Sequence, residues 1–236
     1  MLKKLFPSNF LSISNSFINN LIFLMIAVVL VGLMYAFFLS PPDYIQGDSV
    51  RIMYVHVPSS FIALGCFAII GIISILNLIF KIKFIPLAGK SLSSVGALFT
   101  LISIVTGSLW GKPTWGIWWV WDARLTSMLI LLLFYILYIL VWKYISDYNK
   151  ANKISSVVAI VGLFNLPVIK YSVDWWSTLH QPSSITLTSV PTIHYSMLIP
   201  FFIMLFGMLL YSFIIFLVKY KNEIIKFKSE KNKKID

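Results

Sequence analysis

The sequence is poor in charge, and poorest in negative charge. Of 236 residues only 11% are Asp, Glu, Lys or Arg, eight of them acidic, against 59% hydrophobic residues. The mean hydropathy is +0.89. A soluble domain carries roughly a quarter of its residues as charge, so a water-facing globule is excluded. Cysteine is reduced to Cys66. A single cysteine rules out a disulfide framework and intramolecular dithiol chemistry. Inside an apolar run it reads as a small packing residue. The alternating ten-residue strands of a membrane β-barrel are missing as well.

What the chain has is long apolar runs. Six of them, at roughly 21–39, 55–80, 91–109, 125–142, 154–171 and 195–218, are rich in Leu, Ile and Phe, with no Asp or Glu in the middle. Runs of about 18 or more such residues read as membrane-spanning helices. A helix satisfies its own backbone hydrogen bonds in lipid. The expected fold is all-α: a single membrane domain over residues 1–236 with six transmembrane helices. The first run begins late and ends in FFLSPPDY rather than a small-residue cleavage site. It therefore reads as a retained helix rather than a signal peptide.

The formal net charge of +11 raises the possibility of a nucleic-acid partner, and the placement of the lysines decides against it. Lys3 and Lys4 precede the first run; Lys81, Lys83 and Lys90 join the second and third; Lys143, Lys150 and Lys153 join the fourth and fifth. Seven more lie in the tail, 219–236, so fifteen of the 19 cations fall in alternate segments. Arg51, Lys112, Arg124 and Lys170 are the other four. Lys and Arg in short loops mark the cytoplasmic side. Both termini are thus expected inside, with the connections near 41–54, 110–124 and 172–194 outside. The basic tail reads as a topology anchor beside anionic lipid. No aromatic residue interleaves its last eight positions for base stacking.

The unusual residues gather on the outer side. Seven of eight tryptophans lie there, and five of them, Trp110, Trp115, Trp118, Trp119 and Trp121, fall in WGKPTWGIWWVWD. An aromatic belt at headgroup depth would spread its residues among helix ends. This cluster, with Gly111 and Gly116 inside it, fits a platform for a large flat apolar ligand better. Pro113 is placed to open a short helix. Trp115, Trp118, Trp119 and Asp122 would then share one face. All three histidines are on the same side: His56 in YVHVPSSF, His180 in WWSTLHQPSS and His194 in VPTIHYSM. His56 is expected in the first turn of the second helix, at the outer mouth. Two histidines flanking an aromatic platform suit an iron porphyrin held from both faces, and His194 is the weaker candidate. Zinc would leave the tryptophans unexplained. A transmembrane cytochrome b relay would place its histidines inside the helices. Arg51 and Arg124, the only arginines, either pair with Asp48 and Asp122 or bind ligand carboxylates. Asp174 is a candidate to orient His180.

WGKPTWGIWWVWDARLT between two apolar runs resembles the WWD signature of the heme-handling membrane proteins of cytochrome c maturation. VHVPSS and WWSTLHQPSS resemble the two histidine motifs of the cytochrome c maturation protein C, or heme exporter protein C, family. The resemblance covers nearly the whole chain; Thr114 and Ile117 stand at variable positions of the signature. It implies a non-enzymatic role in the bacterial inner membrane, or a mitochondrial inner membrane. Heme b would be held on the periplasmic face by His56 and His180, with Trp110, Trp115, Trp118, Trp119, Trp121 and Asp122 as platform and chaperone contact. Arg51 and Arg124 are the candidates for the propionates. The implied partners are a membrane-anchored heme chaperone, cytochrome c maturation protein E, which receives the heme, and the ATP-binding-cassette (ABC) transporter proteins A and B of the same system, with its small single-span protein D. The alternative is a heme permease, which needs polar groups at mid-depth. The runs offer few, such as Asn77, Ser103 and Thr106.

The charge pattern yields a direct test of orientation. A reporter active only outside the cytoplasm is expected to be silent when fused after Asp236 and active when inserted near Tyr44. The opposite pattern would reverse the orientation.

Overall fold

The computed structural model describes residue 11, residues 15–182, residue 184 and residues 190–232. Among these the chain is built from helices: α1 Asn15–Met34, α2 Met53–Phe80, α3 Ile85–Trp115, α4 Ala123–Tyr144, α5 Tyr148–Leu163, α6 Asn165–Trp175 and α7 Tyr195–Asn232. A π turn, Tyr35–Leu39, extends α1, and a 3-10 turn, Asp48–Ile52, leads into α2. Six of the resulting spans are long and apolar enough to cross a membrane. The chain is an all-α integral membrane protein, as its hydropathy pattern predicts.

The centre of the bundle is α2, which packs on α3, α5 and α7, while α1 lies at the periphery against α7. Lipid tails are as apolar as Leu, so apolar side chains alone give membrane helices no reason to associate. Close approach does, and here glycine supplies it. A Cβ on Gly96 would collide with the Tyr135 ring, and one on Gly162 with Phe67. Tyr135 uses the space to cross the α3–α4 contact and donate a 2.7 Å hydrogen bond to the Ala63 carbonyl of α2. Phe67 stands edge-on to Tyr135 with ring centroids 4.9 Å apart. Cys66 is buried in this same cluster, as expected of a packing residue. Asn77 of α2 donates to Asn152 of α5 at 3.0 Å.

Three expectations change in the structure. First, a 3-10 turn leads into α2 from upstream, so His56, in the first turn of α2 as expected, lies below that turn rather than at the outer mouth, and Pro58 is inside the helix. Second, α3 continues to Trp115, with Pro113 in its last turn. No short helix opens at Pro113, because Gly116 adopts φ 78° and closes α3 by donating to the Lys112 carbonyl. Residues 116–122 are non-helical, so Trp118 and Trp119 do not continue a helical face begun by Trp115. Third, the fifth span is broken at Phe164. Pro167 has no N–H for the Leu163 carbonyl, and Asn165 braces the break by donating to the Ser127 carbonyl of α4 at 2.8 Å.

The basic tail begins as a continuation of α7. Tyr220 and Ile224 are buried against Leu87, and Glu223 pairs with Lys90 at 2.7 Å. Lys3, Lys4 and positions 233–236 of the tail lie outside the described residues.

The Gly96–Tyr135 approach is the contact most sensitive to added volume. Gly96→Ala is expected to destabilise the detergent-solubilised protein by about 1–3 kcal/mol through overpacking. Gly65→Ala, where a Cβ meets nothing within 4 Å, should be nearly neutral. Thermal unfolding curves for the two variants check the contrast, and equal melting shifts would contradict it.

Candidate functional site

At one end of the bundle the connections 41–47 and 116–122 and residues 176–182 converge over a cavity of about 470 Å³. That volume lies in the range of small-molecule and cofactor sites. Its floor is apolar, with Leu64, Ile104, Met128 and Ile169. His56, His180, Trp110, Trp115, Trp119 and Arg124 stand on its walls. The cavity thus brings together residues far apart in sequence.

His56 is held by α3. Its Nδ1–H donates to the Ser103 carbonyl at 3.0 Å and lies 3.2 Å from Thr106 Oγ1. The Thr106 hydroxyl donates its own proton to the Ile102 carbonyl at 2.6 Å, so towards His56 its oxygen accepts. Both neighbours of Nδ1 are acceptors, which places the ring proton on Nδ1 and leaves Nε2 with a free lone pair. Ser60 and Ser103 share a 2.6 Å hydrogen bond beside it. Gly107 gives the ring room, since a Cβ there would lie 3.0 Å from His56 Cε1. Trp110 meets the imidazole edge-on at 5.8 Å.

His180 lies on the connection opposite. Trp115 tilts against it at 6.0 Å. Arg124 Nη1 approaches its Nδ1 at 3.1 Å, and the Gln181 carbonyl lies 3.0 Å from the same nitrogen. Burial lowers the pKa of His180 and the Arg124 charge lowers it further; the Gln181 carbonyl and Asp122 work weakly the other way. The ring is therefore neutral at pH 7, the form a metal requires. Asp174, considered as its orienting partner, makes no hydrogen bond to it among the described residues; Arg124 and Gln181 occupy that role.

Two glutamines that sequence reasoning passed over tie the site together. Trp110 Nε1–H donates to Gln46 Oε1 at 2.7 Å, and Gln46 Nε2–H donates to Gln181 Oε1 at 3.2 Å. One amide thus links the first connection, the end of α3 and the connection that carries His180. Neither glutamine belongs to a periodic pattern. Only the position of Gln181 beside His180 could have drawn notice.

The remaining candidates are sorted by the structure. Trp118 and Trp121 are exposed and do not line the cavity. Trp121 packs edge-on to Trp119 at 5.5 Å, and Lys112 lies 6.0 Å over the Trp118 ring. Arg51 is also off the cavity. It pairs with Asp48 at 3.0 Å and donates to the Ala36 and Phe37 carbonyls that end the first span. Asp122 does not pair with Arg124 within salt-bridge distance; its Oδ1 caps α4 by accepting from Leu125 N–H at 2.8 Å. His194 accepts from the Ser196 backbone, away from the cavity. Trp119 Nε1 is buried with no partner among the described residues, an orphan donor on the cavity wall.

A family model described as heme exporter protein C matches residues 2–235. The chain belongs to the heme exporter protein C family. It is 41% identical to heme exporter protein C of Haemophilus influenzae over 86% of this chain and 83% of that protein. It is 38% identical to the Escherichia coli K12 protein of the same name, over 93% of this chain and 88% of the relative. A ccmC-like mitochondrial protein of cytochrome c biosynthesis from Marchantia polymorpha is 41% identical over 80% of this chain and 79% of its own length.

The Asp122 cap gives a separable structural prediction. Asp122→Ala should cost about 0.5–2 kcal/mol, while Asp122→Asn, which keeps a side-chain acceptor for Leu125 N–H, should lose much less. Equal melting losses for the two variants would show that the cap is not what Asp122 contributes.

Proposed function

We propose that the chain binds heme in this cavity and hands it on during cytochrome c maturation. The observation that carries the proposal is the convergence of His56 and His180, from separate elements, on one aromatic-walled cavity. His56 Nε2 and His180 Nε2 are the axial ligands to the iron, whose coordination chemistry is the cargo's own. Trp110, Trp115 and Trp119 form the walls against the porphyrin. Arg124 and the orphan Trp119 Nε1–H are placed to meet the carboxylates at its edge, since both are donors and neither has a protein carboxylate partner among the described residues. Arg51, already engaged with Asp48 and two carbonyls, is the weaker of the two arginine candidates.

Trp118 and Trp121 point away from the cavity, and we assign them with the 116–122 segment to the contact with the receiving chaperone, cytochrome c maturation protein E. We take the site to lie on the periplasmic face and both termini in the cytoplasm, a reading that the lysine placement supports. The cargo is heme b, not yet covalently attached. The chain acts as a holder rather than an enzyme, alongside the ABC transporter proteins A and B and the small protein D of the same system. The names of the relatives support heme export as the setting. A permease reading has less support. Asn77, Ser103 and Thr106, the mid-depth polar groups such a path would use, are engaged with Asn152, Ser60 and His56.

The test is the visible spectrum of the purified protein. The parent is expected to carry low-spin heme. His56→Ala and His180→Ala should shift it to high spin or empty the site, while His194→Ala leaves it unchanged. A low-spin spectrum retained in either of the first two variants, with loss in the third, would overturn the assignment.

A further inference from the structure

The two cavity histidines present their Nδ1 atoms to opposite kinds of neighbour. For His56 both neighbours accept, so its proton is fixed on Nδ1 and Nε2 is ready for a metal. For His180 the neighbours conflict. The Gln181 carbonyl at 3.0 Å requires a proton on Nδ1, whereas the Arg124 guanidinium at 3.1 Å requires a lone pair there. A guanidinium has no acceptor atom, so a neutral ring satisfies only one of them at a time. With Arg124 as the partner, the proton sits on Nε2, the atom that would face the iron.

Arg124 is itself incompletely matched. It donates through Nε to Ser172 Oγ at 3.2 Å and through Nη2 to the Lys170 carbonyl at 3.3 Å. Asp122 and Asp174 are near enough to favour its charge, but among the described residues no carboxylate oxygen lies within 4.0 Å of it, so it makes no direct ion pair. An arginine on a cavity wall, hydrogen-bonded only to neutral acceptors, will turn to an incoming carboxylate, because a bidentate Arg–carboxylate pair adds ion–ion attraction and a second parallel bond.

We propose that Arg124 is a carboxylate-operated latch on His180: a ligand carboxylate draws the guanidinium off Nδ1, the ring takes the tautomer that donates to the Gln181 carbonyl, and Nε2 becomes free to bind iron. The inference rests on the heme-site reading and adds its regulation. The exchange is balanced, since one proton leaves Nε2 and one is taken up at Nδ1 through water, with no change in ring charge. Ligation is then ordered. His56 takes the iron without assistance, and His180 closes only on a porphyrin that carries its carboxylates. Arg124 acts through His180 as well as on the ligand, so it is a positioning residue for the axial bond.

The test uses the full-length protein in detergent and has two arms. In the first, without ligand, 15N-histidine labelling reads the tautomers directly. His56 is expected as the Nδ1–H form and His180 as the Nε2–H form, with His180 moving to Nδ1–H in Arg124→Met. In the second, the parent is loaded with ferric heme or with its dimethyl ester, which lacks the carboxylates. The acid should give low-spin spectra, and the ester high-spin spectra from His56 alone. The ester in Arg124→Met should recover the low-spin bands. Low-spin ester in the parent, or an Nδ1–H His180 in the ligand-free parent, would overturn the latch while leaving the heme site intact. Absence of low-spin spectra with ferric heme itself would instead overturn the site. Arg124→Met that fails to fold leaves the parent comparison of acid and ester, and the parent tautomers, to decide.

Discussion

The site depends on how closely α2 and α3 approach each other. In lipid, the polar groups of one helix find partners on another only when the backbones come near. Gly107 of α3 permits that approach by leaving room for the His56 ring, and Gly96 opens the α3–α4 contact so that Tyr135 reaches α2. The hydrogen bonds from Tyr135 to Ala63, between Ser60 and Ser103, and from His56 to Ser103 follow from it. An imidazole buried a turn inside a membrane span is costly unless its N–H is bonded. The interface that buries His56 is thus the same one that fixes its tautomer.

The fold was legible because hydropathy is a property of long stretches. Six apolar runs survive small errors at their ends, and the six spans appear where the runs are. The ends were not legible, and prolines are the reason. Pro58 and Pro113 each fit an opening turn by local rules, yet each lies inside a helix. What decides is the neighbouring structure. The 3-10 turn Asp48–Ile52 feeds α2 from upstream, and Gly116 stops α3 three residues beyond Pro113. Pro167 did the opposite, sitting unremarked in an apolar run and breaking the fifth span at Phe164.

At the site, the residue types were legible and their sorting was not. Five tryptophans in a short segment, and histidines before and after it, marked the place. Which rings face the cavity turns on where α3 ends. Trp110 and Trp115 ride its last turns, Trp119 returns to the wall, and Trp118 and Trp121 face outward. Arg51 and Arg124 were indistinguishable in the sequence, each with an Asp two or three residues away. The structure separates them by what surrounds the guanidinium: a carboxylate and two helix-end carbonyls for one, an imidazole and a hydroxyl for the other. Gln46 and Gln181, 135 residues apart, are joined by a contact no local pattern encodes.

A protein that hands its cargo on has a different optimum from one that keeps it. Two equally firm axial ligands would hold an iron porphyrin too well to release it, and two weak ones would not capture it. On the proposed heme site, the two histidines divide the requirement. His56 is embedded in α2, braced by α3 and set in one tautomer. His180 lies on a connection and shares its Nδ1 between a donor on α4 and an acceptor beside it, and that connection is joined to the first one through the amide of Gln46. Motion of His56 must disturb the helix that carries it, whereas His180 moves with its connection. Release would therefore begin at His180, the side that is neither within a membrane span nor packed against one along its length. The exposed Trp118 and Trp121 lie on the connection that precedes Arg124, so a partner docking on them would act close in sequence to the guanidinium that we propose governs the second ligand.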